Sequence, residues 1–96
     1  MRKFTKGVFE IEKNVKDLEE YERKIDEHTD NIIQWADTHG IGIRFGTNDK
    51  DTYLCEFKIV ANTKNLCDGY VSELKEMLKN ICKTPKILYR ANGNCV

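Results

Sequence analysis

Residues 9–18 read F-E-I-E-K-N-V-K-D-L, and residues 57–66 read F-K-I-V-A-N-T-K-N-L. Aligned without a gap, the two stretches share Phe, Ile, Asn, Lys and Leu at five of ten positions. Each begins with alternating apolar residues and then offers an asparagine before apolar residues at helical spacing, which indicates a strand followed by a helix. Because the copies start 48 residues apart in a chain of 96, the sequence predicts two related halves.

Further alternating runs complete the pattern on either side of these stretches. Apolar residues alternate with polar ones over residues 41–45, 53–59 and 87–89, which predicts three more strands or strand segments. The order β-α-β-β-α-β is typical of the ferredoxin-like α+β fold, a four-stranded antiparallel sheet with two helices on one face. We expect a single domain over residues 1–91 and a short C-terminal tail over residues 92–96.

The boundaries of the first strand and helix are predicted from local signals. Val8–Glu12 alternates, Asn14 is a candidate N-cap, and Gly40 supplies the left-handed position that ends a helix. A second cap near His28-Thr29-Asp30 would break the long helix there. The alternative is that the first segment extends the helix, which would give an α-β-β-α-β variant.

The second helix has similar start and stop signals. Asn62 or Thr63 is the predicted cap, and the apolar positions continue at helical spacing as far as Cys82. Pro85, the only proline, follows. A proline disfavours helical backbone in the residue before it, so the helix is expected to end at Thr84-Pro85.

Composition and charge exclude several classes of protein. Sixteen basic and sixteen acidic residues give a formal net charge of zero, which lacks the strong positive charge of proteins that coat nucleic acid. No apolar run approaches the ~18 residues that a membrane helix needs. The first residues do not resemble a secretory signal, so a cytoplasmic location is predicted.

The four cysteines fit a reducing compartment. They lie at positions 55, 67, 82 and 95 without a C-x-x-C pair, so their spacing does not predict a zinc site. We expect Cys55, Cys67 and Cys82 to be small buried hydrophobic residues and Cys95 to lie in the tail. A Cys82–Cys95 disulfide or a reactive Cys95 is the alternative.

No sequence pattern predicts catalysis. The junctions between strands and helices contain no glycine-rich phosphate loop, and the two histidines, His28 and His39, are not adjacent in sequence to any candidate nucleophile. We therefore expect a protein that is not an enzyme and that carries no metal or cofactor. A small enzyme that uses one of the cysteines is the rival interpretation.

The alternation divides the predicted sheet into two faces. The odd positions are expected under the helices: Phe9, Ile11, Ile43, Phe45, Tyr53, Phe57, Ile59 and Tyr89. The even positions are expected on the open face: Val8, Glu10, Arg44, Leu54, Glu56, Lys58, Val60, Leu88 and Arg90. RNA-binding sheets expose aromatic rings, whereas this predicted face mixes aliphatic residues with opposite charges and suits a protein surface or self-association.

Charge is unevenly distributed along the chain. Residues 10–30 have a net charge of −5 and residues 58–96 have a net charge of +4. Such asymmetry can steer a charged partner. The acidic segment is typical of a solvated helix with i,i+4 ion pairs; the alternative is an acidic docking surface formed by Asp17, Glu20 and Glu27.

These observations predict a small cytosolic module that binds a larger protein. An inhibitor or adaptor is its concrete form, with a phage or other mobile element as the suggested source. The candidate contact residues are Asp17, Glu20, Glu27, Arg44, Glu56, Lys58 and Arg90. One alternative is a regulatory domain that binds a small ligand as a homodimer through the open face. The other, less expected because of the charge balance, is a nucleic-acid binder that uses Lys58, Lys64, Lys83, Lys86 and Arg90.

Overall fold

The structure, a computed structural model, describes residues 2–12, 18–48 and 52–95. These residues form four strands and two helices in the predicted order: β1 (Lys3–Ile11), α1 (Leu18–His39), β2 (Gly42–Thr47), β3 (Tyr53–Ala61), α2 (Lys64–Leu78) and β4 (Lys86–Asn94). The strands form one open antiparallel sheet in the order β2-β3-β1-β4. The predicted α+β class is confirmed.

One hydrophobic core lies between the two helices and a single face of the sheet. Strand residues of β1 and β3 alternate between buried and more exposed positions, as expected when only one face of a sheet is covered. The buried core residues from the strands are Phe9, Ile11, Cys55, Phe57, Ile59 and Ala61, and those from the helices are Tyr21, Ile25, Ile32, Ala36, Cys67, Val71, Leu74 and Leu78. The other face of the sheet is left uncovered by these helices.

The first strand is longer than predicted. It begins at Lys3, five residues before Val8, and it pairs with β3 and β4 along its length. The α-β-β-α-β alternative is therefore wrong. The predicted cap at Asn14 lies outside the residues that the structure describes.

The first helix runs without a break from Leu18 to His39. The predicted break at His28–Asp30 is wrong, because buried Ile25 and Ile32 hold both sides of that segment against the core. Gly40 adopts φ 67°, and the amide of Ile41 donates a 2.8 Å hydrogen bond to the carbonyl oxygen of Ala36. This is the glycine-terminated helix end that the sequence predicts.

The second helix begins as predicted but ends early. The Thr63 hydroxyl accepts a 3.2 Å hydrogen bond from the amide of Leu66, so Thr63 is the N-cap. The helix stops at Leu78. Just after it, the amides of Ile81 and Cys82 donate hydrogen bonds of 3.0 and 3.1 Å to the carbonyl oxygen of Leu78. The side chains of Ile81 and Cys82 remain buried, which explains why their helical spacing suggested four more residues of helix.

A bulge in β4 changes the direction of its side chains. Val8 pairs with Tyr89 while the next residue, Phe9, pairs with Ile87, so Leu88 is the extra residue. Directly paired residues share a face of the sheet. The bulge therefore moves Tyr89 to the open face and Arg90 to the helix-covered face, and the predicted positions of both residues are wrong.

The C-terminal residues belong to the sheet. β4 continues through Asn94, which pairs with Lys3, and the Cys95 amide donates a 2.8 Å hydrogen bond to the Arg2 carbonyl oxygen. The expected tail over residues 92–96 is thus a paired strand as far as Asn94. All four cysteines are free thiols, with Cys95 alone partly exposed, so the alternative Cys82–Cys95 disulfide is not formed.

Candidate binding surface

The uncovered side of the sheet is the largest surface that the topology sets apart. Register assigns the following residues to it, and together they are called the open face: Phe4, Lys6, Val8, Glu10, Gly42, Arg44, Gly46, Leu54, Glu56, Lys58, Val60, Lys86, Tyr89, Ala91 and Gly93. The strands hold these side chains in rows across the sheet. One such row contains Arg44, Glu56, Val8 and Tyr89, in the order of the strands.

A groove of about 440 Å³ lies in this face. Lys6, Lys58 and Arg44 provide cationic groups along it, Glu56 provides a carboxylate, and Tyr89 contributes an aromatic wall. The volume lies within the ~300–1,000 Å³ range of ligand-binding clefts. The groove can therefore take a side chain or a small group of a binding partner.

Like charges meet at the centre of the open face. Lys6 lies directly opposite Lys58 on the two central strands, an arrangement that destabilises a sheet. Arg44 is the direct neighbour of Glu56 and the diagonal neighbour of Lys58. Among the residues that the structure describes, none of these three cations has a carboxylate within 4.0 Å.

An apolar segment of edge strand β4 borders the open face. Ile87, Leu88 and Tyr89 are consecutive and are 39%, 49% and 53% exposed; Ile87 pairs with Phe9 on the helix-covered face, whereas Tyr89 lies on the open face. The structure pairs β4 only with β1, so its outer edge is open. A run of exposed large apolar side chains at a sheet edge is typical of a contact surface.

The candidate contact residues from the sequence lie in three places. Arg44, Glu56 and Lys58 share the open face. Arg90 lies on the other side of the sheet, where its guanidinium donates a 2.5 Å hydrogen bond to the Asp68 carboxylate on α2.

The acidic candidates belong to the helix layer. Glu20 forms an ion pair with Lys24 at 3.6 Å, and Glu27 forms one with Arg23 at 3.3 Å. Both are i,i+4 pairs of the kind expected on a solvated helix, and each contributes little to stability at an exposed site. Asp17 lies outside the described residues, so the structure does not bring the three acids together into one surface.

Sequence reasoning missed several residues of the open face, among them Phe4, Lys6 and Tyr89. Phe4 and Lys6 were not considered because the predicted strand started at Val8, although both fit its alternation. The ring of Phe4 lies over Gly93, where an added Cβ would be 2.6 Å from it. Tyr89 was assigned to the wrong face because simple alternation contains no signal for the bulge.

The cysteine and histidine side chains do not form a reactive pair in the described geometry. Burial raises the pKa of the Cys55 thiol from 9.0 to about 12, and the neighbouring Glu56 charge acts in the same direction. Burial also raises the pKa of Cys82. His39 has its Nδ1 atom 2.8 Å from the Trp35 carbonyl oxygen. A raised thiol pKa is the reverse of what a nucleophilic cysteine needs.

The described part of the chain contains neither a metal-binding cluster nor a helix suited to cross a membrane. Residues 2–12, 18–48 and 52–95 contain no group of three His, Cys, Asp or Glu side chains that is arranged to hold a metal ion. Neither described helix has the length and apolar character required to cross a membrane.

Comparisons of the chain with protein-family models, with curated proteins and with solved structures gave no match.

Proposed function

We propose that this chain is a small non-enzymatic module that binds a larger protein through its open face and the adjoining edge of β4. The observation that carries this proposal is the exposed apolar pair Leu88 and Tyr89 at the bulge of β4, beside the open face. Large apolar and aromatic side chains beside a charged rim are typical of the centre of a protein interface. An inhibitor or adaptor is the form of activity that such a module would have.

The proposed architecture is ferredoxin-like. The element order β-α-β-β-α-β and the strand order β2-β3-β1-β4 support it, as does the placement of both helices over one core. This topology leaves one sheet face free for binding. The four free thiols support a reducing compartment, and a cytoplasmic location is proposed on that basis.

A different protein is a better partner than a second copy of this chain. Two open faces that meet about a central twofold axis would bring two Lys6–Lys58 pairs together. This arrangement opposes like charges, which disfavours association of two copies through this face.

Affinity capture with matched variants tests this proposal. Leu88→Ser removes an apolar contact from β4, and Leu66→Ser removes one from α2, where Leu66 is also 49% exposed. Nuclease-treated host lysate is passed over the tagged wild-type protein and both variants, and bound proteins are quantified by mass spectrometry.

We expect one protein to be retained by the wild type and by Leu66→Ser but lost with Leu88→Ser. Equal retention by all three proteins would contradict the proposed surface. A partner that is lost whenever nuclease is added would instead indicate a nucleic-acid binder.

A further inference from the structure

We infer that the partner presents an acidic segment to the open face, with carboxylates that meet Lys6, Lys58 and Arg44. This inference rests on the proposed function and names the chemistry of the partner. Lys6 and Lys58 are directly opposed and exposed, and no carboxylate of a described residue lies within 4.0 Å of either. The described residues thus do not offset the repulsion between Lys6 and Lys58, and an anionic partner would reduce it.

Arg44 extends this cationic cluster along the groove. Arg44 is the diagonal neighbour of Lys58 across β2 and β3. The backbone positions of diagonal neighbours are ~7–8 Å apart, a distance that long side chains can span. Its guanidinium can hold a carboxylate with two parallel hydrogen bonds. The three cations therefore suit two or more acidic side chains along one segment.

The distribution of charge between the layers favours the same partner. The two helices carry ten acidic and four basic residues, whereas the open face carries four basic residues and two acidic ones. The formal net charge of zero does not show this separation of acidic and basic residues. An acidic protein surface is attracted to the sheet side and repelled by the helix side, so charge also sets the orientation of docking.

The carboxylates of the open face favour a protein over single-stranded nucleic acid. Phe4 and Tyr89 are the aromatic residues of this face, and Val8, Leu54 and Val60 are aliphatic. Glu10 and Glu56 on the same face would repel a phosphate backbone. The groove wall formed by Tyr89 suits an apolar side chain that is flanked by acidic ones.

Selection from a random-peptide phage library tests the inference without a known partner. The bait proteins are the wild type, the double variant K6E/K58E and the control K75E/K83E, which makes the same change of charge outside the open face. Enriched peptides are sequenced, and one is synthesised for affinity measurements on all three proteins. Fluorescein-labelled oligouridine is a parallel probe.

We expect the wild type and K75E/K83E to enrich peptides with several Asp or Glu residues beside an apolar residue. K6E/K58E should bind the synthesised peptide at least about tenfold more weakly and enrich Lys- and Arg-containing peptides instead. Added salt should weaken the wild-type complex.

Three contrary results are distinguishable. Peptides that show no acidic enrichment, or that K6E/K58E enriches equally, would overturn the inference and leave the proposed function standing. If no peptide is enriched, the proposed function fails as well. Oligouridine that binds the wild type and is lost with K6E/K58E would overturn the inference in favour of nucleic acid.

Discussion

The carbonyl oxygen of Tyr89 lies 2.2 Å from the position that a Cβ atom on Gly7 would occupy. The ring of Phe57, which is paired with Gly7 across the sheet, approaches the same position to 2.9 Å. The bulge at Leu88 therefore brings the backbone of β4 so close to β1 that only glycine fits between them. The exposure of Tyr89 on the open face depends on this glycine.

Replacement of Gly7 by alanine should destabilise the protein. A backbone carbonyl cannot move away as a flexible side chain can, so overpacking should lower the free energy of unfolding by about 1–3 kcal/mol or more. Urea denaturation followed by the fluorescence of Trp35 measures this change. The control is Gly69→Ala in α2, where a Cβ meets nothing within 4 Å, and it should stabilise the protein by about 0.5–1 kcal/mol. Equal stability of Gly7→Ala and wild type would contradict the close approach.

Removal of either central lysine should make the protein more stable. Lys6→Ala and Lys58→Ala each relieve the same repulsion, so each should raise the free energy of unfolding by about 0.2–1 kcal/mol. The double variant should gain less than the sum of the two single gains, because the repulsion can be removed only once. Thermal denaturation of the wild type, the two single variants and the double variant gives the coupling free energy between the two lysines. This coupling should be smaller at high salt than at low salt, because salt screens the repulsion. Strict additivity at low salt would show that the two ammonium groups do not interact.

Alkaline pH should destabilise the fold through its buried acids. The pKa of Cys55 rises from 9.0 to about 12, and burial is also the main cause that raises the pKa of Tyr21 from 10.0 to about 12. Below pH 9 both groups are neutral in the folded and unfolded states, so their full contribution to stability is present. As pH rises from about 9 to 12 the unfolded chain loses these protons first, and the free energy of unfolding should fall.

Urea denaturation at a series of pH values measures this loss. In Cys55→Ala, which removes one of these groups, the loss of stability at high pH should be smaller than in the wild type. A wild-type protein whose stability is constant up to pH 11 would contradict the burial of both groups.

Much of the fold was predictable because its signals are local. Alternation identified the strands, Gly40 marked the end of α1, and Thr63 was one of two candidate caps for α2. The start of β1 at Lys3 was missed, since Gly7 interrupts the apolar alternation there. Glycine is needed at position 7 because the backbone of β4 passes too close for a side chain. The residues of β4 are distant from Gly7 in sequence, so local patterns do not show this contact.

The candidate surface was only partly predictable for a related reason. Arg44, Glu56 and Lys58 were assigned to the open face because they lie on strands with regular alternation. Tyr89 and Arg90 were exchanged between faces, because one extra residue in β4 reverses every side chain that follows it. The acidic residues of α1 were grouped by sequence proximity, whereas Glu20 and Glu27 each pair with a neighbouring base on the helix.

The helices carry a net negative charge and the open face a net positive charge, although the formal net charge of the whole chain is zero. Long-range attraction to another molecule then depends on orientation rather than on total charge. A charged surface is therefore turned before it makes contact, and added salt shortens the distance over which this happens.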